Sequence, residues 1–303
     1  MGINEGGMVN GAMSRKVEIT LNSAVSLVQT LQPLLFIPCY NQPFVMILRR
    51  LGNKQKIAKE IQKYFPPHKI YIEPFFGAGG MFFNKPKVKY NIVNDIDSDV
   101  FNLYQVTVNN IDELEKAFYE MPIHSDLLEY WKQNKETDKI KKAIRFLLIS
   151  NFTFMGAGAT LILAATNGGD DYRKRFSKLL TETKRKIEYV SFGNSDFRIF
   201  LNSINFDGEY ERKETFIYCD PPYNGTSNNY SNLFTKQDTI DLIEVLLKMK
   251  CKFAISEFDN EFILNQAKER NLNIIFIGER HNLKNKRTEI LITNYQKERT
   301  LFD

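Results

Sequence analysis

Apolar residues follow two rhythms along this chain, one stepping by four and one running nearly unbroken. In KQKIAKEIQKYF (54–65), Ile57, Ile61 and Phe65 stand four apart with lysines between them. That spacing predicts an amphipathic helix, which Pro66 and Pro67 then stop. KIYIEPFF, from residue 69, is instead a compact apolar run of the kind a strand buried on both faces requires. Six more runs of that kind follow: YNIVND (90–95), EYVSFGNSDF (188–197), ETFIYCDPPY (214–223), CKFAISEF (251–258), NIIFIGER (273–280) and TEILITNY (288–295). Helical stretches, KQDTIDLIEVLLKMK (236–250) and DNEFILNQAKERN (259–271), alternate with the later ones. Alternation of this type predicts an α/β fold, a mainly parallel Rossmann-like sheet with helices on both faces. Ligands of such sheets gather at the carboxyl ends of the strands, where the turns near residues 77, 95, 196 and 220 all fall.

The middle of the chain departs from this rhythm. Residues 100 to 190 read mainly as helix, with Phe118, Leu127, Leu128, Trp131 and IKKAIRFLLIS supplying apolar faces, so they form an insertion between strands. NFTFMGAGATLILAATNGGDDYRKRF (151–176) interrupts the helices with glycines and aromatics, as an exposed loop or hairpin does. Arg173, Lys174, Arg175, Lys178, Lys184, Arg185 and Lys186 follow closely, as a solvated helix face or a surface for phosphates. Near the start, Gln29, Gln32, Pro33, Asn41 and Gln42 break up SLVQTLQPLLFIPCYNQPFVMIL, so no membrane span is expected and any secretory signal would be a poor one. Three regions result: an extension without an assigned role (1–45), a body made of 46–99 and 188–303, and the inserted segment 100–187.

Composition narrows the choice of chemistry. With 303 residues, 43% of them hydrophobic and 25% charged, the chain can bury a large core. Lys and Arg outnumber Asp and Glu by 41 to 36, which is compatible with a polyanionic partner without demanding one. Cys39, Cys219 and Cys251 are widely separated, so neither a disulfide framework nor a zinc site is suggested and a reducing compartment fits. His68, His124 and His281 are scattered too, which argues against a histidine metal centre.

Candidate chemistry concentrates at the predicted strand ends. Gly77, Gly79 and Gly80 follow the first strand and precede a short apolar helix, where the backbone can approach a ligand closely. Position 82 is Phe and no Gly-Lys-Ser/Thr follows, so neither the dinucleotide fingerprint nor a P-loop is present. Asp95 ends the second strand eighteen residues after Gly77, well placed to accept hydrogen bonds from ribose hydroxyls. Asp97 and Asp99 cap or begin the helix beyond it. After the strand ETFIYC, Pro221 and Pro222 make a rigid bend that holds the Asp220 carboxylate and presents the Tyr223 ring.

Taken together, RRLGNK (49–54), EPFFGAGG (73–80), NDIDSD (94–99), DPPY (220–223) and KRTEILITNY (286–295) resemble, in order, the motifs of the Dam-type DNA adenine-N6 methyltransferases. The likeness covers about residues 46 to 296, with gaps in the middle. It implies S-adenosylmethionine as cofactor, with Arg50 and Lys54 beside it, Phe75, Gly77 and Gly79 lining it, Asp95 on its ribose and Asp196 with Phe197 near its adenine. It also implies Asp220, Pro221, Pro222 and Tyr223 as the catalytic set, 100–187 as a DNA target-recognition domain, double-stranded DNA as partner, and a cytoplasmic protein that is bacterial or phage-encoded. A cognate restriction endonuclease is a further implied partner. One departure concerns the recognition hairpin, where Phe154 is followed by Met155 and Gly156 in place of the family's Asn-Gly and Arg pattern, so the target sequence is not legible. Other conjugated amines (cytosine N4, RNA, a glutamine side chain) and a noncatalytic DNA-binding role stand as alternatives, Asp220 speaking against glutamine.

Overall fold

The computed structural model describes residues 44–50, 52–153, 156, 158, 160, 169–223, 234–281 and 286–296. Seven strands form one sheet: β1 (Ile70–Glu73), β2 (Tyr90–Asn94), β3 (Ser191–Gly193), β4 (Thr215–Cys219), β5 (Lys252–Phe258), β6 (Asn273–His281) and β7 (Lys286–Thr293). Their spatial order is β3-β2-β1-β4-β5-β7-β6. Strands β1 to β5 pair in parallel, and β7 runs antiparallel to both β5 and β6. The chain winds one way from β1 and the other way from β4, so the switch point lies between these two strands. A crevice at their carboxyl ends is the expected consequence.

All seven apolar runs therefore became strands, and the alternation within them explains how the sheet is covered. Ile70, Ile72, Ile217, Cys219, Phe253, Ile255, Ile290 and Ile292 face one apolar layer. Tyr71, Phe216, Tyr218, Ala254 and Leu291, taken from the same strands, face the other. Successive side chains on a strand point to opposite faces, so both faces must be apolar when both carry helices.

Among the described residues the α-helices are α1 (Ala58–Gln62), α2 (Ser98–Asn109), α3 (Ile111–Glu120), α4 (Ser125–Gln133), α5 (Lys139–Phe152), α6 (Gly169–Ile187), α7 (Phe197–Asn202), α8 (Gly208–Lys213), α9 (Lys236–Met249) and α10 (Glu261–Glu269). Helices α9 and α10 pack Leu242, Ile243, Leu246 and Ile263 into the first layer with Phe200 of α7. The second layer runs continuously into the inserted helices through Leu103, Phe118, Leu147 and Phe176. Asp97 caps α2 by accepting the Asp99 N–H at 2.9 Å, the role expected for it.

Three expectations need correction. No α-helix follows the glycine turn: Phe82–Asn84 is a single 3-10 turn, because Phe82 and Phe83 both point into the core and the chain leaves at Pro86. The helix expected over 54–65 starts at Ala58 and not at Lys54, since Asn53 and Lys54 are committed to the crevice and the Asn53 side chain accepts the Gln55 N–H. The expected loop 151–176 is shorter at both ends, with 151–152 closing α5 and 169–176 opening α6, where Tyr172 and Phe176 are buried. Residues 1–43, including Cys39, and most of 154–168 lie outside the described residues.

Candidate active site

Three strand tips are stapled by one side chain. The Asn94 amide donates to the Pro74 and Ser195 carbonyls, both at 3.0 Å, and its oxygen accepts the Ser195 N–H at 3.1 Å. The ends of β1, β2 and β3 are thereby fixed to one another. Above them opens a cleft whose wall includes Arg50, Lys54, Phe75, Gly77, Asp95, Asp196, Phe197 and Asp220. Residues expected near 77, 95, 196 and 220 thus meet in one cavity. Pro222 also lines it, whereas Pro221, Tyr223 and Gly79 are not part of its wall.

Gly77 and Gly79 serve different ends. Gly77 has φ +54° and a Cβ there would meet open space, so its backbone faces the cavity. A Cβ on Gly79, at φ +74°, would lie 2.5 Å from the Phe83 ring and 2.8 Å from Phe76, so close packing of aromatic side chains demands glycine there.

Asp95 is buried and accepts two backbone N–H groups, from Gly77 at 2.6 Å and from Asp97 at 2.8 Å. Burial raises its carboxyl from 3.8 to about 6, against the pull of those donors and of Arg50. Arg50 is bound to Asp97 at 2.7 Å. Glu73, at the tip of β1, is also buried, accepts the Tyr71 hydroxyl at 2.8 Å and is pushed well above the ordinary carboxylate range by its burial. Asp196 caps α7 through the Arg198 N–H, and the Arg198 side chain bridges Asp196, Asp238 and Asp241.

Lys54 is 4% exposed, and its ammonium sits 2.6 Å from Asp220 Oδ1, 3.8 Å from Glu289 Oε1 and 4.4 Å from the centre of the Tyr223 ring. The Tyr223 hydroxyl donates to Glu289, and the Phe258 ring meets the Tyr223 ring edge-on at 4.6 Å. Lys54 and Asp220 are 166 residues apart in the chain, so their pairing depends on the whole sheet.

Two residues of this region escaped sequence reasoning. Phe234 lines the cleft and packs against Phe75 at 5.8 Å and Phe197 at 6.0 Å, making a wall of three rings. Its position immediately before the capping box of α9, Thr235 to Asp238, was the available signal. Glu289 was announced by a carboxylate inside the apolar run TEILIT.

Chemically, the cleft suits a ligand that combines a flat aromatic ring, a hydroxylated sugar and a positive charge. The rings of Phe75, Phe197 and Phe234 offer an apolar wall, Asp95 an acceptor, and Asp95 with Asp220 an acidic side to it. S-Adenosylmethionine has those three parts, and the residues present fit it. Sheet order, glycine turn and acidic strand tips define the class: an S-adenosylmethionine-dependent methyltransferase built on a Rossmann-like sheet.

Residues 51–289 match the sequence model of the D12 class N6 adenine-specific DNA methyltransferases, and the chain belongs to that family. It methylates adenine in DNA and uses S-adenosylmethionine. Among relatives, the DNA adenine methylase of Haemophilus influenzae is 28% identical over 257 residues, spanning 77% of this chain and 86% of that protein. That of Escherichia coli K12 is 26% identical over 212 residues, 65% of this chain and 74% of its own length. Of solved structures, the rRNA methyltransferase aviRa from Streptomyces viridochromogenes aligns with a TM-score of 0.35 at 10% identity, covering 93% of this chain and 96% of that one. Among the described residues no helix is long and apolar enough to cross a membrane.

Proposed function

We propose that the protein methylates the exocyclic N6 of an adenine extruded from a specific double-stranded DNA sequence, with Asp220 and the Pro221 carbonyl as the groups that receive the amine. The observation that carries this is the position of Asp220 at the tip of β4, in the same cleft wall as Gly77 and Asp95. When bound, S-adenosylmethionine supplies an electrophilic methyl group on a cationic sulfonium. The rest of the chemistry falls to the chain. An exocyclic amine is a weak nucleophile because its lone pair is delocalised into the ring, and two acceptors pulling on its hydrogens favour a pyramidal nitrogen with that lone pair free. Fixed alignment of amine and methyl group contributes further acceleration. Asp220 is held for this by Lys54 at 2.6 Å and by the two prolines that follow it.

The target nitrogen is out of reach inside a duplex, so the base must leave the stack, and Tyr223 is the ring assigned to stack on it. Residues 100–187 are assigned to target recognition, with Lys174, Lys178 and Arg185 of α6 exposed as candidate phosphate contacts. A cognate restriction endonuclease fits as partner, because methylation of a fixed sequence blocks cleavage there. Expression in a host without adenine methylation, followed by mapping of modified bases, tests the whole reading. Modification at N6 of adenine in one recurring sequence is the expected result; methylated cytosine, or none at all, overturns it.

A pH dependence follows from Asp95. Its folded-state value of about 6 lies above the ordinary 3.8, so its contribution to stability is fully present below about 3.8 and is lost as the pH rises through 6. Cofactor binding runs the other way, because ribose hydroxyls donate best to an ionised carboxylate. Affinity for S-adenosylhomocysteine, measured by calorimetry, is expected to rise several-fold from about pH 5 to about pH 7, by up to tenfold per unit. The Asp95→Asn variant should bind more weakly and lose that part of the slope; an unchanged slope assigns the titration elsewhere.

A further inference from the structure

Glu289 lies on β7, the antiparallel strand, and stands opposite Phe258 of β5. Its direction brings the beginning of β7 to the same sheet edge as the end of β4. There Glu289, 1% exposed, accepts the Tyr223 hydroxyl and approaches the Lys54 ammonium to 3.8 Å. Lys54 in turn holds Asp220 and lies over the Tyr223 ring. The two outer members of the Asp220 to Tyr223 turn are thus tied to one carboxylate, one directly and one through a lysine.

We propose that Glu289 is a positioning residue for methyl transfer, fixing Tyr223 through its hydroxyl and sharing the positive charge of Lys54 with Asp220. This rests on the assignment of Asp220 as the acceptor for the amine. A carboxylate that neutralises a lysine alone is a weaker acceptor, because the ammonium draws on its electron density. A second carboxylate on the same ammonium reduces that draw. Glu289 thereby keeps Asp220 able to bind the amine while Lys54 still fixes its orientation. A role in folding alone predicts something different, namely loss of activity in proportion to loss of folded protein.

The isosteric Glu289→Gln variant keeps an acceptor for Tyr223 and removes the charge; Tyr223→Phe keeps the ring and removes the hydroxyl. Single-turnover methyl transfer, with DNA and S-adenosylhomocysteine affinities measured beside it, separates the possibilities. In Glu289→Gln the transfer rate is expected to fall about 10–100-fold, the range seen when the group orienting a functional residue is removed, with both affinities within about twofold of the parent. The double variant is expected to lose less than the product of the two single losses, because the two side chains act as one unit. An unchanged rate in Glu289→Gln, a loss matched by weaker cofactor binding, or multiplicative effects in the double variant each overturn the proposal. If Glu289→Gln is slow while Asp220→Ala is fully active, the catalytic assignment fails and this inference with it. If Asp220→Ala is inactive and Glu289→Gln is normal, only this inference fails.

Discussion

Asp220→Ala is expected to reduce single-turnover methyl transfer by about 10²–10³-fold or more, the scale of removing one well-placed polar group from a reacting centre. The rest of the cleft wall, with Phe75, Asp95 and Phe197, keeps its side chains, so S-adenosylhomocysteine should still bind. The split between rate and affinity is the diagnostic: an acceptor for the amine acts on the former. Asp220→Asn keeps the size of the side chain but offers Lys54 a neutral partner, and an intermediate loss is expected. Labelled methyl transfer to duplex DNA measures both, and full activity in either variant would remove Asp220 from the mechanism.

Lys54→Ala has the second-largest expected effect, and it reaches stability as well as rate. The lysine is almost wholly buried against Asp220 and Glu289, so its removal leaves both carboxylates without their shared cation. Breaking a fully buried ion pair costs about 3–5 kcal/mol. Asp220 retains 20% side-chain exposure, so water can compensate part of this and about 2–3 kcal/mol is expected. Urea unfolding at neutral pH should show the fall in midpoint. Methyl transfer should drop further than the folded fraction, because Asp220 loses the contact that orients it; a drop explained by unfolding alone would make Lys54 structural.

Much of this architecture was legible in the sequence, for an identifiable reason. Strands covered on both faces need side chains such as Ile70, Ile72, Ile217 and Phe253 at consecutive or alternating positions, and such runs stand out in any chain. The turns at Gly77, Asp95 and Asp220 were legible because each follows such a run at once. What stayed hidden was set by distance in sequence. The meaning of Lys54 lies 166 residues away at Asp220, and that of Tyr223 lies 66 residues away at Glu289. No local pattern encodes either pairing. The missing helix after the glycine turn is a milder case: Phe82 and Phe83 suggested a helix face, but both rings go into the core beside Phe76 and Tyr104 and leave no room for continued winding.

The position of β7 between β5 and β6 has a consequence for biogenesis. β6 is translated before β7, the strand it pairs with among the described residues, so until β7 emerges β6 has no place in the sheet and β5 is left as its open edge. Glu289 arrives with β7, so its contacts with Tyr223 and Lys54 form only once that strand has docked, and the site around Asp220 is completed late in synthesis.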